Sequence, residues 1–137
     1  MNTMQFDLVT PERTVISRPV YMVVTRTTLG ELGILPGHSP LVANLAIGVM
    51  RIKDPDQSTF ELAVHGGFME VTPERVVVLA EAAEFPDEID VDRALAAKER
   101  AERRLAEKGN PDIDYKRAEL ALQRAMIRLK MAGKQMD

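Results

Sequence analysis

Hydrophobic positions along the chain change period once. Up to about residue 83 they fall in short strand-like runs, and in MQFDL they alternate, with Met4, Phe6 and Leu8 on one face. VYMVVTR, GVMRIK, FELAVH and ERVVVLAEA are short runs rich in β-branched residues, set apart by turn residues. Asp54-Pro55-Asp56-Gln57 and Thr72-Pro73-Glu74 read as turns between such runs. Strands this closely spaced, with no helical pattern between them, predict a compact antiparallel β-sandwich or barrel over residues 1–85.

Beyond that point the period becomes helical. Ala94, Ala97, Ala101 and Leu105 fall on one face, as do Ala118, Leu122, Ala125 and Leu129. Gly109-Asn110-Pro111 interrupts the pattern, since glycine suits the left-handed position after a helix and proline cannot continue one. The spacing predicts helices over about 90–108 and 114–132, paired antiparallel as a hairpin in residues 86–137. Both open alike, Ile89-Asp90-Val91-Asp92-Arg93-Ala94 and Ile113-Asp114-Tyr115-Lys116-Arg117-Ala118, with aspartate placed as N-cap. An alanine seam allows close approach but buries little apolar area, so the hairpin is expected to be marginally held.

Charge follows the same division. Residues 1–89 carry six Lys/Arg against twelve Asp/Glu, a balance of -6, whereas residues 90–137 carry twelve against nine, a balance of +3. From Tyr115 to Lys134 there are six basic residues and one acid, Glu119. A basic hairpin on an acidic body points to an anionic ligand or partner for the hairpin. Aromatics make up only 4% of the chain, too few to supply a stacking surface for nucleic acid. No cysteine is present, so disulfides and thiolate chemistry are excluded. The opening MNTMQFDLVT has no basic stretch followed by an apolar run and predicts no signal peptide. No segment reaches the roughly 18–20 apolar residues that a membrane span needs.

Catalytic chemistry finds few candidates. His38 and His65 are the only histidines; Ser39 adjoins His38, but there is no nucleophile elbow and no carboxylate at triad or ligand spacing. His65, before Gly66-Gly67, reads as the end of a strand, and no metal site is expected. The Gly30–Val42 segment matches neither standard phosphate loop and reads as a rigid docking loop. Arginines are more informative. Arg93 and Arg100 lie seven apart on the first helix, and Arg117, Arg124 and Arg128 lie seven and four apart on the second. Guanidinium groups bind phosphate bidentately and stay charged at physiological pH.

Val9-Thr10-Pro11-Glu12, Gly30-Glu31-Leu32-Gly33-Ile34-Leu35-Pro36-Gly37-His38-Ser39-Pro40-Leu41-Val42 and Gly66-Gly67-Phe68-Met69-Glu70-Val71 are joined by three helical stretches. These are Ile89–Ala94, Glu99–Leu105 and Lys116–Leu122. In this order the chain resembles the epsilon subunit family of bacterial F-type ATP synthases over nearly its whole length. The resemblance implies an α+β chain, with a sandwich of about ten strands followed by two helices. It implies a non-catalytic central-stalk subunit of a proton-translocating synthase, peripheral at the cytoplasmic face of the bacterial membrane. The implied partners are the gamma subunit, the membrane rotor ring and the catalytic subunits, with Glu31 and His38 facing the rotor side. The hairpin is expected to fold or extend, and to restrain ATP hydrolysis when extended. No cofactor is required. ATP is expected as a regulatory ligand of the folded hairpin, held by Glu84, Asp90, Arg93, Arg100, Arg124 and Arg128. A free-standing ATP sensor is the competing expectation, and it predicts no stable complex with a coiled-coil partner.

Overall fold

The computed structural model describes residues 2–136, with side chains described as far as residue 133. Lys134, counted above among the basic residues, therefore has a side chain outside the described residues. The chain divides into two compact units, through Glu84 and from Phe85 onward.

The first unit contains β1 (Met4–Val9), β2 (Thr14–Val20), β3 (Met22–Thr27), β4 (Gly30–Ile34), β5 (Leu41–Lys53), β6 (Thr59–Val71), β7 (Arg75–Ala80) and β8 (Ala83–Glu84). They follow the order β2-β1-β7-β6-β5-β3-β4, with β8 paired to β6. All pairs are antiparallel except β1 with β7. Eight strands form where about ten were expected, because β5 and β6 are thirteen residues each. Their ladder skips a step between Leu45↔Gly67 and Ile47↔His65. On one side of the break, residues 41–45 and 67–71 continue into β7, β1 and β2; on the other, 47–53 and 59–65 lie between β8 and β3-β4. Each side therefore counts five strands, and the two sides form the layers of the sandwich.

Alternation places the core between these layers. Met4, Phe6, Leu8, Met69, Val76 and Val78 fill it from one layer, and Val23, Ile34, Met50, Ile52, Leu62 and Val64 from the other. Gly67 makes the bend at φ +131°, where an added Cβ would sit 2.3 Å from the Leu79 carbonyl oxygen. Only glycine fits there. Arg18 ties the β2 edge to the β5–β6 turn. Its Nε and Nη2 each donate to an Asp54 carboxylate oxygen at 3.1 Å, and its guanidinium lies 4.9 Å over the Phe60 ring.

Two expectations are corrected here. The Gly30–Val42 segment is not one loop, because Gly30–Ile34 forms the edge strand β4 and residues from Leu41 onward belong to β5. Glu31 thus projects from a strand, and only Leu35–Pro40 forms the connection. His65 is not at a strand end either: β6 runs through Gly66-Gly67 despite their positive φ, leaving His65 in its interior, 2% exposed.

The second unit opens with a single 3₁₀ turn, Pro86–Glu88, whose Glu88 carboxylate accepts the Phe85 N–H at 2.9 Å. Helices α1 (Val91–Ala106) and α2 (Tyr115–Met136) follow. Compared with the expected bounds, α1 ends two residues earlier and α2 runs four further. The turn between them is built from side chains. Gly109 has φ +79°, Asn110 Oδ1 accepts the Asp112 N–H, and the Tyr115 hydroxyl donates to the Glu107 carbonyl while accepting the Asn110 N–H. Ala94 and Ala101 of α1 and Ala118, Ala125, Met131 and Ala132 of α2 are buried along the seam.

Candidate functional site

The seam alanines fix where the arginines go. Arg93, Arg100, Arg117 and Arg124 each immediately precede a buried alanine: Ala94, Ala101, Ala118 and Ala125. In an α-helix the preceding residue lies about 100° round from its neighbour. When two helices run antiparallel, residues just before the seam fall on the same flank of the pair. The four arginines therefore line one side of the hairpin, and the four-residue step extends the row to Arg104 and Arg128. A cavity of about 290 Å³ bordered by Arg104, Arg117, Asp112, Asp114, Ile113 and Ala118 brings the two helices' arginines together at the turn end.

Among the described residues, the side chains of Arg93, Arg100, Arg104, Arg117 and Arg124 have neither a hydrogen-bond nor an ion-pair partner. Like charges aligned this way repel, so the flank is destabilising by itself.

Asp90 is the N-cap of α1, with Oδ1 accepting the Arg93 N–H at 3.1 Å. Asp114 caps α2 in the same way, accepting the Arg117 N–H at 3.0 Å. Both copies of the I-D-x-x-R-A-like opening are therefore helix starts, and the first also begins the arginine row. Glu84 belongs to the other unit, as the last residue of β8, where its Oε1 lies 2.9 Å from His65 Nε2. Of the six residues expected at a nucleotide site, five are carried by the helical unit and Glu84 is not. Arg104 and Arg117 were not singled out for that site; the Arg-Ala repeat itself was the available signal. Among the described residues no three His, Asp or Glu side chains lie close enough together to hold a metal ion.

The sandwich carries a second kind of surface. Phe68, Leu79 and Val9 are register partners across β6, β7 and β1, and all face outward. Phe68 is 39% and Leu79 54% exposed; Val42 on β5 is exposed beside them, and Val77 is half-buried in the neighbouring row. An apolar row across three strands on an outer sheet face is unusual for a surface that meets only water. Around the corner, a cavity of about 500 Å³ lies between the β3–β4 turn and the start of β5, bordered by Leu29, Glu31, Leu32, Leu41 and Val42. Leu29 is 99% exposed at its tip. The turn behind it is held rigid by the Thr27 hydroxyl, which donates to the Gly30 carbonyl and accepts the Leu29 N–H. His38 lies on the following connection, its Nδ1 2.8 Å from the Ser39 carbonyl.

A sandwich followed by a helical hairpin, with one basic flank and one apolar face, describes a two-part binding protein. Comparison with known proteins gives the family. The family described as "ATP synthase, Delta/Epsilon chain, beta-sandwich domain" matches residues 3–86, and "ATP synthase, Delta/Epsilon chain, long alpha-helix domain" matches residues 87–133. The chain is 53% identical over 135 residues to the ATP synthase epsilon chain of Halalkalibacterium halodurans, covering 98% of this chain and 100% of that one. It is 55% identical over 134 residues to the ATP synthase epsilon chain of Alkalihalophilus pseudofirmus, with the same coverage. A chain of the Euglena gracilis mitochondrial ATP synthase (OSCP/F1/c-ring, rotational state 1) shares the fold, with TM-score 0.81 over 95% of this chain and 81% of that one, at 24% identity. The chain belongs to the ATP synthase delta/epsilon family.

Proposed function

We propose that the chain is a non-catalytic central-stalk subunit of a proton-translocating F-type ATP synthase, peripheral at the cytoplasmic face of the bacterial membrane. The epsilon-chain relatives, matched from end to end, support this reading. The sandwich docks the rotor. The apolar row of Phe68, Leu79 and Val9 and the exposed Leu29, Glu31 and His38 side meet the gamma subunit and the membrane ring. No helix among the described residues is long and apolar enough to cross a membrane, so attachment runs through partners.

The hairpin is the regulatory part. Its folded form binds ATP through Arg93, Arg100, Arg124 and Arg128, with Asp90 organising the start of α1. Its extended form reaches the catalytic subunits and restrains hydrolysis. The observation that carries the ATP reading is that Arg93, Arg100 and Arg124, on one flank of the hairpin, have no hydrogen-bond or ion-pair partner among the described residues. A ligand that binds only the folded form adds RT ln(1 + [L]/Kd), about 2.7 kcal/mol at a hundredfold excess over Kd, enough to reset a hairpin with an alanine seam.

Calorimetric titration of ATP into the full chain tests this, with Arg124→Ala as control. Saturable binding that the variant weakens about tenfold, with the sandwich still folded, supports the reading. No heat and no shift in melting temperature would leave the helices answering to protein partners alone. A free-standing sensor shares the ligand but would leave the apolar row bare. Co-purification with a gamma-type coiled coil separates the two.

A further inference from the structure

Two pairs of seam alanines divide the arginine row. Ala101 and Ala118, nearest the turn, face each other across the antiparallel hairpin, and Ala94 and Ala125 do so seven residues further along either helix. At a rise of 1.5 Å per residue the two crossings lie about 10 Å apart. Arg93 and Arg124 flank the outer crossing, with Arg128 one helical turn beyond. Arg100 and Arg117 flank the inner one, with Arg104 one helical turn beyond. The outer group and Arg100 are the arginines assigned to ATP. Arg104 and Arg117 are left over, and both border the cavity of about 290 Å³ at the turn end.

That cavity is built from the helical unit alone. Neither guanidinium has a hydrogen-bond or ion-pair partner among the described residues. Arg117 stands in the first turn of α2, where the positive end of the helix dipole disfavours a cation and favours an anion. Two carboxylates share the lining. Asp114 Oδ1 accepts the Arg117 N–H, which commits that carboxylate to capping α2. Asp112 is held through its backbone, its N–H donating to Asn110 Oδ1 at 2.9 Å, while its carboxylate has no partner among the described residues. Ile113 and Ala118 complete the lining.

We propose that this cavity is an anion site of its own, separate from the ATP site and selective for inorganic phosphate. Guanidiniums from two helices match the charged oxygens of a tetrahedral anion. The Asp112 carboxylate, which can only accept, matches the remaining feature of a phosphate ion, its P–OH donor. Sulfate has the same shape but carries no proton near neutral pH, so it would set a bare oxygen against Asp112. Arg104 comes from α1, Arg117 from α2 and Asp112 from the turn, so the site is complete only in the folded hairpin and its occupancy favours that form.

The test is calorimetric titration of the full chain with inorganic phosphate and with sulfate at constant ionic strength, each with and without saturating ATP. The unsubstituted chain is expected to bind phosphate saturably, about tenfold or more tighter than sulfate, and no more weakly when ATP is present. Arg104→Gln and Arg117→Gln each weaken phosphate binding about tenfold. Asp112→Asn, whose amide donates as well as accepts, admits sulfate and abolishes the preference. Melting curves check that each variant folds. Side-chain ¹⁵N shifts of the unsubstituted chain give a readout independent of any variant, with phosphate moving the Nε signals of Arg104 and Arg117. No saturable phosphate binding, sulfate bound as tightly as phosphate, or shifts confined to arginines of the outer crossing overturns the inference. Displacement of phosphate by ATP overturns it too, because Arg104 and Arg117 would then hold the nucleotide's own phosphates. The ATP reading stands or falls separately, on whether ATP itself binds the unsubstituted chain.

Discussion

Asp90 accepts the backbone N–H of Arg93 at 3.1 Å, so the carboxylate that opens α1 is bound to the backbone of the first arginine in the basic row. Capping and ligand binding are therefore separable by substitution. Asp90→Ala removes the cap and is expected to cost about 1 kcal/mol of hairpin stability; Asp90→Ser restores it, because a hydroxyl also caps. Amide exchange in the first turn of α1 measures this. ATP affinity that recovers with serine assigns Asp90 a capping role alone, and affinity that stays low in both variants assigns it a ligand contact.

The arginine flank predicts opposite signs with and without ligand. Neutralising Arg100 as Arg100→Gln removes repulsion, so the ligand-free hairpin becomes more protected from amide exchange while ATP binds about tenfold more weakly. Added salt has the same stabilising effect on the ligand-free form, because exposed like charges are screened with a Debye length of about 10 Å at 0.1 M. A hairpin indifferent to both salt and Arg100→Gln would show that the row is not a source of strain.

Much of this was legible before the structure, and the missing parts share a cause. Alternation marked β1, a β-branched run marked β7, and the switch to helical spacing marked the hairpin. The strands that escaped were β2, where Ser17, Arg18 and Pro19 break the run, β4, where Gly30 and Gly33 thin the pattern, and β8, which is two residues long. The spacing of Arg93, Arg100, Arg117 and Arg124 was visible, but their common flank depends on antiparallel packing of two alanine seams. His65 was misread because Gly66-Gly67 normally marks a turn, whereas here positive φ bends a continuing strand. The row of Phe68, Leu79 and Val9 joins residues from three strands, and only register brings them side by side.

Gly67 and Gly37 both have positive φ, yet their substitutions are predicted to differ. An added Cβ at Gly67 would meet the Leu79 carbonyl oxygen at 2.3 Å and the Ala80 Cα at 2.7 Å, whereas at Gly37 it meets nothing within 4 Å. Gly37→Ala carries only the conformational cost, about 1 kcal/mol. Gly67→Ala adds a clash with backbone that cannot move aside, for a total of about 3 kcal/mol. Denaturant midpoints of the sandwich transition test the ranking.

Asp7 links sandwich stability to acid. The Ser17 hydroxyl, donating at 2.6 Å, is the largest influence holding its carboxyl below the usual aspartate range; partial burial opposes this, and Gln5 and the nearby Arg75 add to the lowering. A carboxyl with a lowered folded-state pKa contributes stability above its unfolded value, about 3.9, and loses it as pH falls through the lowered one. Ser17→Ala should therefore weaken the sandwich at neutral pH, with the difference from the unsubstituted chain shrinking as pH drops below about 4. Urea titrations across that range decide it; a difference that does not change with pH would assign Ser17 a role unconnected with the charge of Asp7.

The apolar row gives the sharpest test of docking, because its members point away from the core. Leu79→Asp and Phe68→Asp place a charge where the folded chain already exposes the side chain, so each is expected to alter sandwich stability by less than about 1 kcal/mol. Burying that charge against an apolar partner without a counterion is far more costly, on the order of several kcal/mol. Assembly with a gamma-type partner should therefore fall by at least about a hundredfold in either variant, while the melting temperature of the isolated chain barely moves. A charge on the opposite layer, such as Val49→Asp on β5, perturbs a half-buried position instead and is expected to show the reverse balance, with stability falling more than docking. If assembly tolerates both Phe68→Asp and Leu79→Asp, the partner does not sit on this face. The Leu29 and Glu31 side would then be the surface left to carry the contact.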